Sequence, residues 1–214
     1  MPTPRPDWIA GATGLVGRAL CAELSQGLAL VRKPTPGLPV PTAIVDYGSP
    51  ESFAAPPAPG RVFIALGTTM AQAGSQAAFR AADFDAVLTV ARAARAAGAT
   101  HCGLVSALNA NAGSAVFYSR VKGEAEDALK ALGFEHLVIA RPSLLDGERE
   151  KLDQPHRSGE AWSLRLMRPL SGLIPAMWRP IAAQRVARAL RVAIDTPGPA
   201  VRVIESREMQ RLGA

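Results

Sequence analysis

Three residues of this 214-residue chain have the types and spacing to move a proton at an oxygen. Ser106 closes an aliphatic run, Tyr118 stands twelve positions later, and Lys122 follows it by four. Four positions are about one helical turn, so the phenol and the ammonium share a face. Reducing a carbonyl requires a proton at oxygen as hydride reaches carbon. A free phenol gives its proton poorly near neutrality. A nearby ammonium favours the phenolate and lets the phenol serve as general acid or base. A serine hydroxyl can donate to the carbonyl oxygen and orient it. Lys122 also has the reach to hold a ribose. Tyrosine and lysine often meet by chance at this spacing, so the triplet carries meaning only if its surroundings bring it to a ligand.

A second pattern supplies a ligand. Gly11, Gly14 and Gly17 form a G-x-x-G-x-x-G run between a short apolar stretch, Trp8-Ile9-Ala10, and a segment of helical period. The first glycine permits a tight turn, the second lets a pyrophosphate approach the backbone, and the third lets the helix pack on a sheet. The helix start offers N–H groups and a favourable dipole to phosphate. Thr13, Leu15 and Val16, within the same turn, are counted with the contacts. A compact strand–turn–helix without a ligand is the plainer alternative. Placement at the first strand of an alternating chain argues against it.

The next strand, Leu28 to Arg32, ends in Arg32-Lys33 with no acid nearby. A site selective for NAD places a carboxylate there to bond ribose hydroxyls. A guanidinium and an ammonium suit a 2′-phosphate instead, so NADP(H) is expected over NAD(H). Asp46, ending a third short strand, either bonds the adenine edge or caps its loop. Leu66-Gly67-Thr68 closes a fourth strand and lets a cofactor come close to the backbone. Asp83 is given a surface or packing role in a long helix.

The elements needed to position these residues follow from hydrophobic period. Strands are expected at 8–10, 28–32, 43–46, 61–66, 101–106 and 136–140. Helices are expected at 15–24, 75–97 and 118–132, the last two stopped by Gly98 and Gly133. Aliphatic strands alternating with helices describe an α/β fold, a doubly wound parallel sheet of Rossmann type. After Ser143 the rhythm changes. Helices at 159–170, 182–195 and 205–212 and a strand at 201–204 are expected. The chain reads as one domain over 1–214, with about 143–214 containing a small helical lobe on the substrate side.

Apolar residues make up 48% and charged residues 20%, which excludes a disordered chain. The formal charge is +6, and the excess gathers between 147 and 191. Arg185, Arg188 and Arg191 mark either a solvated stripe or part of a basic field. Arg165, Arg168 and Arg179 either lie on the surface or border a cleft for an anionic substrate. No nucleic-acid reading module accompanies them, so no nucleic-acid partner is expected. Cys21 and Cys102 read as small buried hydrophobes. The start shows no secretory h-region, and no apolar run is long enough for a membrane span. A cytoplasmic location, no membrane span, and a monomer or homodimer are the expectations. No metal is expected.

The ordered motifs resemble the short-chain dehydrogenase/reductase superfamily, in its atypical branch. They are similar to the Tat-interacting tumour-suppressor oxidoreductase-like NAD(P)-binding proteins. The resemblance rests on GATGLVG at 11–17, LGTTMAQAGSQAAFRAADFD at 66–85 and VSALNANAGSAVFYSRVKGEAEDAL at 105–129. ARPSLLDGERE at 140–150 and RPIAAQRVARAL at 179–190 extend it over nearly the whole chain. It implies that Ser106, Tyr118 and Lys122 form the catalytic triad. It implies cofactor contacts at the glycines, Arg32, Lys33 and Thr68. Leu108 and Asn109 fall where the substrate loop would be, and Pro142 where the chain passes the nicotinamide. The sequence departs from the family at Met70-Ala71-Gln72, where basic residues are common. It departs again at Ala107, where many members have a second serine. The fourth catalytic asparagine has no counterpart in 75–97. The leading function is NADP-dependent interconversion of a small carbonyl compound and its alcohol. The alternatives are an NADP(H)-binding regulatory or assembly protein, and an epimerase or dehydratase that retains its cofactor.

Overall fold

The computed structural model describes residues 5–146 and 180–214. The expected helix at 159–170 and Arg165, Arg168 and Arg179 lie outside the described residues. Seven described strands form one sheet: β1 (Asp7–Ala10), β2 (Gly27–Val31), β3 (Thr42–Ile44), β4 (Arg61–Ile64), β5 (His101–Val105), β6 (His136–Arg141) and β9 (Val201–Glu205). Their order is β3-β2-β1-β4-β5-β6-β9 and every pairing is parallel. The chain leaves β1 toward β2 on one side and resumes at β4 on the other. The strand order therefore reverses at β1, which opens a crevice at the carboxyl ends of β1 and β4.

Both faces of the sheet are covered, so its central strands are apolar at consecutive positions. Ile9, Phe63 and Val138 face one layer, with α1 (Leu15–Glu23) and α6 (Ala183–Asp195). Val16, Leu20 and Leu24 are buried there, as are Val186, Leu190 and Ile194. Trp8, Val62, Ile64, Leu104 and Ile139 face the other, with α4 (Ala86–Ala96) and α5 (Phe117–Lys130). Trp8 donates its indole N–H to the Pro57 carbonyl at 2.9 Å, which satisfies its polar atom inside the core. Cys21 and Cys102 are buried and unpaired with each other.

Three findings differ from the sequence reading. The helix expected over 75–97 runs without a break from Gln76 to Ala96, but its middle is wound as a π turn. After the short α2 (Met70–Ala73) come α3 (Gln76–Arg80), a π-helical turn at Ala81–Asp85, and then α4. A two-residue parallel ladder joins β7 (Leu145–Asp146) to β8 (Ile181–Ala182). Finally, residues 183–212 complete the main body: α6 covers a sheet face, β9 extends the sheet beside β6, and α7 (Ser206–Leu212) packs on α6. Of the Arg stripe on α6, Arg185 and Arg188 are exposed, while Arg191 bonds Glu23 and Asp195.

At the opposite end of the sheet from the crevice, the rings of His101 and His136 meet edge to face, centroids 5.8 Å apart. Burial, and then the neighbouring His136, hold the His101 imidazole below its ordinary 6.5. The unfolded chain thus takes up the proton first. Stability is complete above about pH 6.5 and falls as the pH drops through the lower folded value. His101→Asn should flatten that fall, read as urea midpoints at about pH 7.5 and 5.5. An unchanged fall would assign it to other groups.

Candidate functional site

The glycine turn is built by close backbone approach. Gly11 has φ +84°, and a Cβ there would sit 2.5 Å from the Ala65 carbonyl carbon. A Cβ on Gly17 would sit 2.6 Å from the Gly11 carbonyl carbon and 2.8 Å from Ala12 Cα. These two glycines clamp β1, β4 and α1 together. Gly14 is the N-cap of α1, with no side chain to occupy the helix start and no acid in the first turn. The first-turn N–H groups of a helix have no intrahelical acceptor, so this turn suits an anion. Tyr47 braces the turn from β3: its hydroxyl donates to the Leu30 carbonyl at 2.6 Å and lies 3.5 Å from the Gly11 N–H.

From this turn a cleft of about 1280 Å³ runs across the carboxyl ends of the strands. Gly11, Thr13, Gly14, Leu15 and Val16 line it, as do Arg32, Lys33, Asp46, Leu66, Gly67 and Thr68. Ser106, Tyr118 and Lys122 line the same cleft. The sequence-predicted catalytic and cofactor residues are thus brought together with two exceptions, and Leu108 and Asn109 of the expected substrate loop lie outside the lining. Gly17 acts behind the lining through packing. Pro142 is buried and does not line the cleft; its carbonyl accepts from Leu108 N–H at 3.0 Å. Arg32 and Lys33 are exposed at the end of β2. The Asp46 carboxylate accepts from Gly48 N–H at 2.9 Å, closing its own loop while bordering the cleft.

Tyr118 lies in the first turn of α5, half-buried, its ring 5.4 Å from that of Phe79. Lys122, one turn on, is buried. Its Nζ lies 2.7 Å from Asp83 Oδ1, with side-chain exposures of 8% and 0%. No donor is aligned as a hydrogen bond on Oδ1, so the contact is one of charge with charge. The other oxygen, Oδ2, accepts from Thr68 N–H at 2.8 Å. Of the surface or packing role expected for Asp83, the surface half is corrected: the residue is fully buried, and the π turn carries its carboxylate to the cleft lysine.

Ser106 is also engaged. Its hydroxyl donates to Glu126 Oε1 at 2.6 Å. Glu126 is buried one turn beyond Lys122 and is held by both Nε and Nη2 of Arg141, the Nε at 2.9 Å. The serine proton therefore points into the protein, and its oxygen is left to accept. The substrate-side loop turns at Asn109, φ 62°. It crosses α5 at Gly123, where a Cβ would meet Asn111 Cα at 2.6 Å. Sequence reasoning missed Tyr47, Glu126 and Arg141. Only the KGEAE run after Lys122, at an i,i+4 step, hinted at Glu126. Among the described residues no His, Cys, Asp and Glu cluster could hold a metal, and no helix is long and apolar enough to cross a membrane.

Solved structures share this fold. An ADP-L-glycero-D-manno-heptose-6-epimerase of Helicobacter pylori superposes with a TM-score of 0.72 at 13% identity, covering 94% of this chain and 77% of that one. A UDP-glucose 4-epimerase of Thermotoga maritima gives 0.71 at 13% identity, covering 94% and 76%. MoeE5, in complex with UDP-glucose and NAD, gives 0.67 at 18% identity, covering 94% and 76%. These likenesses bear out the doubly wound parallel sheet of Rossmann type expected from the strand and helix pattern. No family model matches the chain. Protein FMP52, mitochondrial, of Eremothecium gossypii is 30% identical over 213 residues, covering 95% of both chains. Its counterpart in Coccidioides immitis is 39% identical over 165 residues, covering 67% of both. Both names carry a mitochondrial location, which overturns the cytoplasmic expectation. That expectation rested on the missing secretory h-region, a feature that does not separate cytoplasm from mitochondrion. With identity at this level sustained over nearly the full length, the chain belongs to the FMP52 family.

Proposed function

We propose that this protein is an NADP(H)-dependent oxidoreductase interconverting a small carbonyl compound and its alcohol, with Tyr118 as general acid and base. The observation that carries the reading is a single cleft with the glycine turn at one end and Tyr118 and Lys122 on its wall. The turn fits a dinucleotide because Gly11 and Gly17 keep the backbone bare and Gly14 leaves the helix start uncapped. Gly11, Gly14 and the first turn of α1 would hold the pyrophosphate, and Arg32 and Lys33 the 2′-phosphate. When bound, the nicotinamide supplies or accepts hydride.

The chain's own residues handle the proton. Tyr118 gives it to the carbonyl oxygen in reduction and takes it back in oxidation. Lys122 stands one turn away on the same helix, its ammonium held by Asp83. Ser106, its proton committed to Glu126, accepts from a substrate hydroxyl, or turns from Glu126 to donate to a carbonyl. The commitment of the serine proton also supports a second reading, an NADP(H)-binding protein without significant turnover.

Calorimetric titration with NADPH and NADH in parallel tests the cofactor. NADPH should bind at least about tenfold tighter, near 1.4 kcal/mol. Arg32→Ala should weaken NADPH binding far more than NADH binding. Binding of neither nucleotide would end the oxidoreductase reading, and equal effects of Arg32→Ala on both would end the role of Arg32.

A further inference from the structure

We propose that Asp83 is a positioning residue that holds the Lys122 ammonium at the cleft beside Tyr118. The inference rests on the oxidoreductase reading for its purpose, although its test does not use turnover. A fully buried carboxylate is costly unless its charge is met. An apolar residue would fill the same place without that cost. Here a π turn, rare in helices and frequent at functional sites, brings the carboxylate inward. Its two oxygens serve different partners. Oδ1 faces the Lys122 ammonium and Oδ2 takes the Thr68 N–H, from the loop that lines the cleft after β4. Gly67 leaves room for this: a Cβ there would lie 3.3 Å from Oδ1 and 3.4 Å from Nζ. One side chain thus ties the cofactor-side loop to the lysine of the proton-transfer pair.

The neighbouring charges are occupied elsewhere. Arg80, on α3, pairs with Glu124. Arg141, from β6, pairs with Glu126, which lies one turn beyond Lys122. Asp85 borders the cleft from the same π turn, and Arg120 on α5 bonds the Ser114 carbonyl. Arg32 and Lys33 stand at the end of β2, two strands from β4. Asp83 is therefore the carboxylate in ion-pair contact with Lys122 among the described residues. Without it, nothing described holds the Lys122 ammonium in place, and the Tyr118 phenol loses its fixed cation.

The chain holds two tyrosines, Tyr47 and Tyr118. Subtracting the trace of a Tyr118→Phe partner isolates the tyrosinate absorbance of Tyr118 in an alkaline titration, without substrate or cofactor. In Asp83→Asn that absorbance should grow in about one pH unit higher than in the wild type. Growth at the same or a lower pH would overturn the proposal, since Asp83 would then be neutral to the pair or a brake on it. Should Asp83→Asn fail to fold by circular dichroism, the doubly neutral Asp83→Asn/Lys122→Met chain decides. Recovery of the fold shows that the carboxylate was compensating Lys122. Continued failure assigns Asp83 to packing alone and overturns the proposal. Absence of turnover in the wild type would strike the oxidoreductase reading and leave this outcome standing.

Discussion

Tyr118→Phe should lower turnover by about 10²- to 10⁴-fold and leave NADPH binding almost unchanged. The substitution removes one oxygen and keeps the ring. Its contact with Phe79, at 5.4 Å between centroids, is retained. The buried Lys122–Asp83 pair does not depend on the phenol. Only the group that exchanges a proton with the substrate oxygen is lost. No described side chain in the cleft replaces it. The Ser106 hydroxyl donates to Glu126, and Lys122 is held by Asp83. NADPH oxidation across a panel of small aldehydes and ketones, in wild type and variant, measures the effect. Equal product formation in the two would remove Tyr118 from the chemistry and the enzymatic assignment with it.

Gly17→Ala should abolish nucleotide binding and destabilise the fold by about 1–3 kcal/mol. The added methyl would fall 2.6 Å from the Gly11 carbonyl carbon and 2.8 Å from Ala12 Cα. Both are backbone atoms and cannot rotate away. Helix α1 must move off the turn, and α1 packs against α6 and the sheet, so the displacement spreads into the core. Gly14→Ala is the matched control. Its methyl would lie 3.4 Å from the Gly11 carbonyl oxygen, so the fold should keep nearly its full stability. Urea melts and calorimetric titration of both variants make the comparison. Normal NADPH binding by Gly17→Ala would refute the view that the turn's closeness is what holds the ligand.

The parts legible in the sequence were those written in local pattern. Aliphatic runs marked the strands, a glycine triplet marked the turn, and a four-residue step put Tyr118 and Lys122 on one face. The rest depended on partners distant along the chain. Asp83 lies 39 positions before Lys122, and one widened helical turn decides whether it meets water or the lysine. That turn leaves no mark in an Ala-rich stretch, so the helix over 75–97 was legible but its π winding was not. Ser106 was legible as a strand end, but its bond to Glu126 requires knowing that α5 crosses behind β5. The final strand was legible as a strand. Its place beside β6 was not, because parallel pairing between distant segments has no short-range signature.

That last placement bears on how the protein is made. Chains emerge from the ribosome amino end first, and folding follows that order. The glycine turn, β1 to β6 and the proton-transfer wall are all synthesised before residue 142. Yet Phe63 and Val138 share one core layer with Val186, Leu190 and Ile204, which come much later. The edge of β6 likewise waits for β9. A nascent chain long enough to hold the described lining of the cleft is therefore still open along one apolar face and one strand edge. Such surfaces invite premature association. The last thirty or so residues, which contribute nothing to the described lining of the cleft, close that interval of exposure.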